Sequence, residues 1–271
     1  MVKAILRKAV VDHLPANGQL LFFRNYFYWC KRDYVRAEVD LFRKLCDRGR
    51  NALDIGSNEG VYAMYLSRFA SRLYCFEPLP WLAANLKRKF SGSNNVSVIN
   101  CALGNKDETA VIHIPVTKEM QYDSRSSLIG GFSGQMIDGN QVQEIKNVPV
   151  PVKRLDDFDF ENIGFMKIDV EGFELEVLKG AAETITRSLP NIYVEIEQKH
   201  HDDMPIAMIF EFILRLGYTG YFRFHQELLP IAKFVPAIHQ AKASDGAKNN
   251  YCGDFIFVPK RSPSLTRLGL A

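Results

Sequence analysis

Along the first part of this chain, apolar positions fall into two alternating rhythms. Ala52, Leu53 and Ile55 predict a buried strand that runs into a tight loop, Gly56-Ser57-Asn58-Glu59-Gly60. Downstream, Val61, Tyr65 and Phe69 share one helical face with Met64 and Leu66 beside them, so strand, loop and helix follow in order. The pattern then repeats. Arg72–Pro78 is an apolar strand ending in Glu77, Trp81–Phe90 is helical with Pro78 and Pro80 at its start, and Ser91–Asn95 is the loop that ends it. Val96–Gly104 is expected as a third strand. Such repeats require a parallel, twisted sheet with right-handed crossovers, which makes the fold class α/β. Upstream, Val35, Val39, Phe42 and Leu45-Cys46 recur at helical spacing before Gly49. Residues 1–49 are therefore expected as a helical lid or brace, residues 50–260 as the main domain and 261–271 as a tail.

Beyond Gly104 the alternation stops. Thr109–Val116 reads as an inserted strand, and about thirty residues follow with Gly130, Gly131, Gly134 and Gly139 among Ser, Asn and Gln. A loop of that length is usually functional or mobile, and Ser124–Leu128 within it is a candidate to close over a ligand. Val148–Val152 is expected at a sheet edge, because Pro149 and Pro151 have no N–H to donate. Order returns with the strand Gly164–Ile168, a charged loop Asp169-Val170-Glu171-Gly172, and a helix over 173–182 that buries Leu175 and Leu178. Asn191–Glu197 is a strand with Glu195 and Glu197 on one face, followed by the polar loop 198–203. Ile206–Leu216 is a helix ended by Gly217, and 218–224 pairs with 254–259 to close the sheet.

The glycine loop suits a nucleotide cofactor, since glycines let the backbone approach a ligand and a helix N-terminus offers free N–H groups. A dinucleotide site wants three glycines spaced G-x-G-x-x-G. Here Gly56 and Gly60 stand four apart, preceded by Asp54, which fits a cationic head such as the amino-acid portion of S-adenosylmethionine. Glu77 ends the next strand 23 residues later, where an acid accepts both ribose hydroxyls. Either acid alone has a plainer reading, Asp54 as a helix cap and Glu77 as a turn residue. The small residues at Cys101–Gly104, with Ala102 and Leu103, lie where an adenine ring could rest flat, or simply end a strand.

Composition narrows this further. With 271 residues and 47% hydrophobic content, the chain can bury one large core. Net charge is only +3 but is unevenly spread, with 11 Lys/Arg against 5 Asp/Glu in residues 1–50. Basic termini around an acidic body give no reason to expect nucleic-acid binding. Five cysteines without a C-x-x-C pair indicate neither a disulfide framework nor a zinc site, which fits a reducing, cytoplasmic setting. The aromatic run Leu20–Cys30 is too short to span a bilayer, and Lys3, Arg7 and Lys8 interrupt any leader at the start, leaving peripheral membrane contact as the only membrane option.

Leu53–Gly60, Phe76-Glu77-Pro78, Ala102-Leu103-Gly104, Ser126-Ser127-Leu128, Leu155-Asp156 and above all Lys167–Ala181 (KIDVEGFELEVLKGA) make the chain resemble the FkbM family of methyltransferases over roughly residues 50–200. That resemblance implies a class I, Rossmann-like fold with a seven-stranded, mostly parallel sheet, helices on both faces and one antiparallel strand near the end. It also implies an S-adenosylmethionine-dependent O-methyltransferase acting on a hydroxyl of a sugar or of a polyketide-like natural product. Asp54, Gly56, Asn58, Gly60 and Glu77 fall on its cofactor positions, with Ser57, Ala102, Leu103 and Ser127 beside them, while Lys167, Asp169 and Glu171 fall on its characteristic motif.

An alcohol needs a base or a metal to take its proton. Asp169, Glu171, Glu195, Glu197, His200 and His201 are the candidates, Asp169 first as base or acceptor-orienting group and His200 second. Alternatively, Asp169, Glu171 and Glu195 could bind Mg2+, which takes oxygen ligands and acidifies a sugar diol. A catalytically silent cofactor-binding module and a nicotinamide oxidoreductase are the rival functions. The expected acceptor is a glycan or its lipid-linked precursor.

Overall fold

A computed structural model describes residues 32–118, 121, 123–130, 135–137, 139–201, 204–225, 227–241 and 251–270. The aromatic run at 20–30 lies outside them. Helix α1 (Arg32–Leu45) leads into β1 (Asn51–Ile55), α2 (Ala63–Phe69), β2 (Leu73–Phe76), α3 (Pro80–Lys89) and β3 (Val96–Ile99). Next come β4 (Ala102–Leu103), β5 (Glu108–Thr117), β6 (Met136–Ile137) and β7 (Asn140–Lys153). The chain continues through β8 (Ile163–Ile168), α4 (Glu174–Lys179), α5 (Ala182–Ser188), β9 (Asn191–Glu195) and α6 (Ala207–Arg215). It closes with β10 (Tyr218–Phe224), β11 (Glu227–Pro230), α7 (Pro236–His239), β12 (Asp254–Pro259) and α8 (Ser264–Leu268).

The main sheet runs β11-β10-β12-β9-β8-β1-β2-β3. Strands β3, β2, β1, β8 and β9 are parallel, and β12 inserts antiparallel between β9 and β10. Seven of these strands make the expected mostly parallel sheet, and β11 adds an eighth at the edge. Helices cover both faces. Val177, Leu178, Ile185, Ile209 and Ile213 of α4–α6 pack with Leu53, Ile55, Met166 and Ile168 on one side. Phe42, Ala63, Leu66 and Leu86 of α1–α3 pack with Ala52, Phe165 and Tyr193 on the other. Among the described residues no helix is long and apolar enough to cross a membrane.

Three expectations need correction. The strand expected over 96–104 is two strands in two sheets, because the Asn100 side-chain amide turns back and donates to the carbonyls of Glu77 and Pro78, both at 2.9 Å. The segment 148–152 is an edge only in part: β7 is the middle strand of a second sheet, β4-β7-β5, yet among the described residues 148–151 pair on one side alone, with β5. It tolerates Pro149 and Pro151 because β4 pairs only at Val152 and Lys153 and β6 only at Asn140 and Gln141, which leaves the flank beside the prolines unladdered among the described residues. Strand β7 also claims residues 140–147 from the expected loop. Finally, the helix over 173–182 breaks at Gly180, where a Cβ would lie 1.9 Å from the Gly104 carbonyl oxygen. Leu178 is fully buried there, with Val177 rather than Leu175 beside it.

The carboxyl ends of β1, β2, β8 and β9 share one edge of the sheet, where ligands gather in open α/β folds. Below it, the C-terminus of α1 is stapled in place: Asn191 donates to the Leu45 carbonyl at 2.6 Å and to Ser264 Oγ at 2.8 Å, and Arg267 of α8 donates to the Cys46 carbonyl at 2.9 Å.

Candidate active site

The loop after β1 is built by backbone contacts that only glycine permits. Gly56 (φ 80°) and Ser57 both donate their N–H to the Phe76 carbonyl at 3.0 Å, and a Cβ on Gly56 would lie 1.9 Å from the Asp169 carbonyl oxygen. The loop is thus wedged between the ends of β2 and β8. Asn58 (φ 48°) and Gly60 (φ 82°) complete the turn. Glu77, 4% exposed, accepts the N–H of Asn58 at 2.8 Å and of Leu79 at 2.9 Å, one on each oxygen. Burial outweighs these bonds and pushes its carboxyl up to about 7. Each oxygen keeps a second lone-pair site for a ligand hydroxyl.

Asp54 is 1% exposed, and neither of its buried carboxylate oxygens finds a hydrogen-bond partner among the described residues. The Lys167 ammonium stands 3.7 Å from it and 3.0 Å from Asp169 Oδ2, a buried cation between two carboxylates. Burial opposes the Lys167 charge, yet Asp169 and Asp54 together hold its pKa above the ordinary lysine value. The same ammonium lies over the Tyr62 ring, 5.0 Å from its centroid. Tyr62 in turn donates to buried Glu38 of α1, as does Tyr193 at 2.8 Å. Nothing in the sequence pattern flags Glu38 beyond an acid on the apolar side of a helix, and that mismatch was its only signal.

Asp169, with 28% of its side chain exposed, opens toward the cleft. Beyond it, Glu171 (φ 53°) follows β8, and Glu195 and Glu197 follow one another at the end of β9. His200 lies between Glu171 (3.4 Å) and Glu197 (3.7 Å). Burial together with the charges of Asp169 and Glu197 pushes the Glu171 carboxyl up to about 8, and Asp169 followed by burial drives that of Glu195 well above the ordinary range. Burial lowers the His200 pKa, so the ring is neutral at pH 7. His201 does not reach the cleft: it pairs with Glu174 at 3.0 Å, both side chains buried.

The sheet edge therefore gathers Asp54, Gly56, Ser57, Asn58, Gly60, Glu77, Lys167, Asp169, Glu171, Glu195 and His200. Ser127, on the arm formed by β5 and β7, joins them by donating its hydroxyl to the Glu171 carbonyl at 2.6 Å. Ala102 and Leu103 are both buried in β4, Ala102 with Leu79 and Leu82 and Leu103 with the main core. The orphaned Asp54 carboxylate and the twice-bonded Glu77 match an ammonium and a ribose diol, so the residues present fit S-adenosylmethionine.

A family model described as the methyltransferase FkbM domain matches residues 54–219. The chain is 26% identical over 157 residues to Methyltransferase 1 of Beauveria bassiana, spanning 53% of this chain and 63% of that protein. It is 29% identical over 172 residues to the hexuronic acid methyltransferase AglP of Haloferax volcanii, spanning 62% and 65%. To the 2-O-methyltransferase NoeI of Sinorhizobium fredii it is 25% identical over 175 residues, spanning 59% and 70%. The match thus covers less than two thirds of the length of the fungal and haloarchaeal relatives.

Proposed function

The chain belongs to the FkbM methyltransferase family, and from that premise we propose that it methylates a hydroxyl of a sugar, with S-adenosylmethionine as donor. The observation that carries this reading is the pair of buried strand-end acids, Asp54 and Glu77, set beside the half-open carboxylate of Asp169. Asp54 and the loop Gly56–Gly60 would hold the cofactor's amino-acid end, and Glu77 its ribose. When bound there, the cofactor supplies a methyl group on a sulfonium. The protein's own task is to hold the acceptor oxygen in line and to take its proton. Asp169 has the position for both, with Lys167 fixing Oδ2 and 28% of the side chain still exposed. His200, neutral at pH 7, stands further out as a second proton acceptor. A sugar acceptor is favoured by the name of one relative, a hexuronic acid methyltransferase, and an oxygen acceptor by that of another, a 2-O-methyltransferase.

Calorimetric titration with S-adenosylhomocysteine, beside NAD and with Glu77→Ala, tests the cofactor. Tight binding lost in the variant is the expected result, and absence of binding by a folded protein overturns it. For the chemistry, Asp169→Asn should lower turnover by about a hundredfold or more while leaving S-adenosylhomocysteine affinity intact. An active Asn variant removes Asp169 from this role. Equal transfer to unrelated polyketides would remove the sugar.

A further inference from the structure

We propose that Glu171, Glu197 and His200 form a binding site for one divalent transition-metal ion at the rim of the cleft. One donor atom from each of the three lies within 4.8 Å of the others. The placement is built by three different local devices. Glu171 sits in a left-handed turn whose carbonyl is clamped by Ser127 Oγ at 2.6 Å. Gly172 brings that turn so close to the His200 backbone that a Cβ would lie 3.0 Å from its carbonyl oxygen. Glu197 is the extended residue just past β9, and a single turn of 3-10 helix carries the chain on to His200.

The separations of the His200 ring from Glu171 Oε2 (3.4 Å) and from Glu197 Oε2 (3.7 Å) exceed a good hydrogen bond. They run from different ring nitrogens, Nδ1 and Nε2, of which an ion would take one; with one donor from each residue the set stays within 4.8 Å, and small side-chain rotations bring it to the roughly 3–4 Å between atoms that share an ion. Electrostatics point the same way. Asp169, Glu171, Glu195 and Glu197 crowd this edge, while Lys167 is held between Asp54 and Asp169, Lys199 pairs with Glu197 from a half-exposed position, and Arg125 and Lys199 offset the charge of Glu171 only in part. A dication would offset the crowding of carboxylates. One imidazole with two carboxylates favours Mn2+ or Zn2+ over Mg2+, which prefers oxygen alone. This ligand set shares only Glu171 with the one expected from sequence, Asp169 being taken by Lys167. The site stands whether or not the methyl-transfer reading does.

The test is an electron paramagnetic resonance titration of the full chain with Mn2+, with Zn2+ as competitor. Calorimetric binding of S-adenosylhomocysteine is followed on the same samples, and melting curves report folding. The expected result is one Mn2+ per chain, displaced by Zn2+, with Glu197→Gln, Glu171→Gln and His200→Gln each weakening it about tenfold or more. The exposed change Glu183→Gln should leave the affinity unaltered. Absence of saturable binding of either metal below about 1 mM, or binding indifferent to all three variants, overturns the site. A chain that binds Mn2+ but not S-adenosylhomocysteine keeps this site and sinks the cofactor reading instead.

Discussion

Buried behind the glycine loop, Glu77 holds its proton up to about pH 7. Ribose hydroxyls donate to the ionised form, so cofactor affinity should rise about tenfold between roughly pH 6 and pH 8 and then level off. Calorimetry at several pH values checks this, and Glu77→Gln should flatten the dependence. The contribution to stability runs in the opposite direction. The folded pKa lies above the unfolded value of about 4.3, so the folded state binds the extra proton and this group's share of stability is lost as pH climbs from about 4.5 to about 7. At this scale the sequence was legible where chemistry and position coincide: Asp54, Gly56 and Glu77 each end a strand or open a loop. It was not legible where a residue's role depends on a partner far along the chain. His201 looked as available as its neighbour His200 until Glu174, buried beside it, took its ring nitrogen.

Elements fared in a similar way. The parallel half of the sheet follows from apolar runs and helical spacings alone, since each such unit has only one right-handed way to return. The failures came where one residue diverts the chain by a contact that periodicity does not encode. Asn100 ends β3 by bonding two carbonyls of another turn, and the helix splits at Gly180 where Asp156 donates its N–H to the Gly180 carbonyl and accepts the N–H groups of Glu183 and Thr184 at the start of α5. The polar first half of β7, residues 140–147, carries too little alternation to be read and is defined by its long ladder with β5, whereas 148–152 was legible as a strand. Between elements, Asn191 deserves a direct test, because one side chain at the start of β9 ties down both α1 and α8. Replacing it with Ala strands the Leu45 carbonyl in a buried place. The expected cost is about 2 kcal/mol, read as a lower denaturation midpoint at unchanged slope.

For the molecule as a whole, the second sheet forms an arm that leaves the main sheet and comes back to its ligand edge. Ile112, Ile114 and Val150 of the arm pack with Leu79 and Leu82 of the body, and two polar contacts pin it at that edge. Ser127 bridges to His113 within the arm and donates to Glu171 outside it, and Trp81 of α3 donates to Asp123 at 2.9 Å. Ser127→Ala should therefore loosen the arm more than the body: tryptic cleavage at the exposed Arg125 should quicken severalfold while the global melting temperature falls by only a few degrees, about 1 kcal/mol. The arm also has adjoining roots. Leu103 and Lys153 are partners in register, and the Gly104 N–H donates to the Lys153 carbonyl at 2.9 Å, so the chain departs and returns at the same place. Lengthening or shortening what lies between would add little closure entropy and would leave all eight strands of the main sheet untouched. Residues 105–152 thus leave and rejoin the chain at one place, and an insertion at the far end of the arm changes its reach without changing the sheet it hangs from.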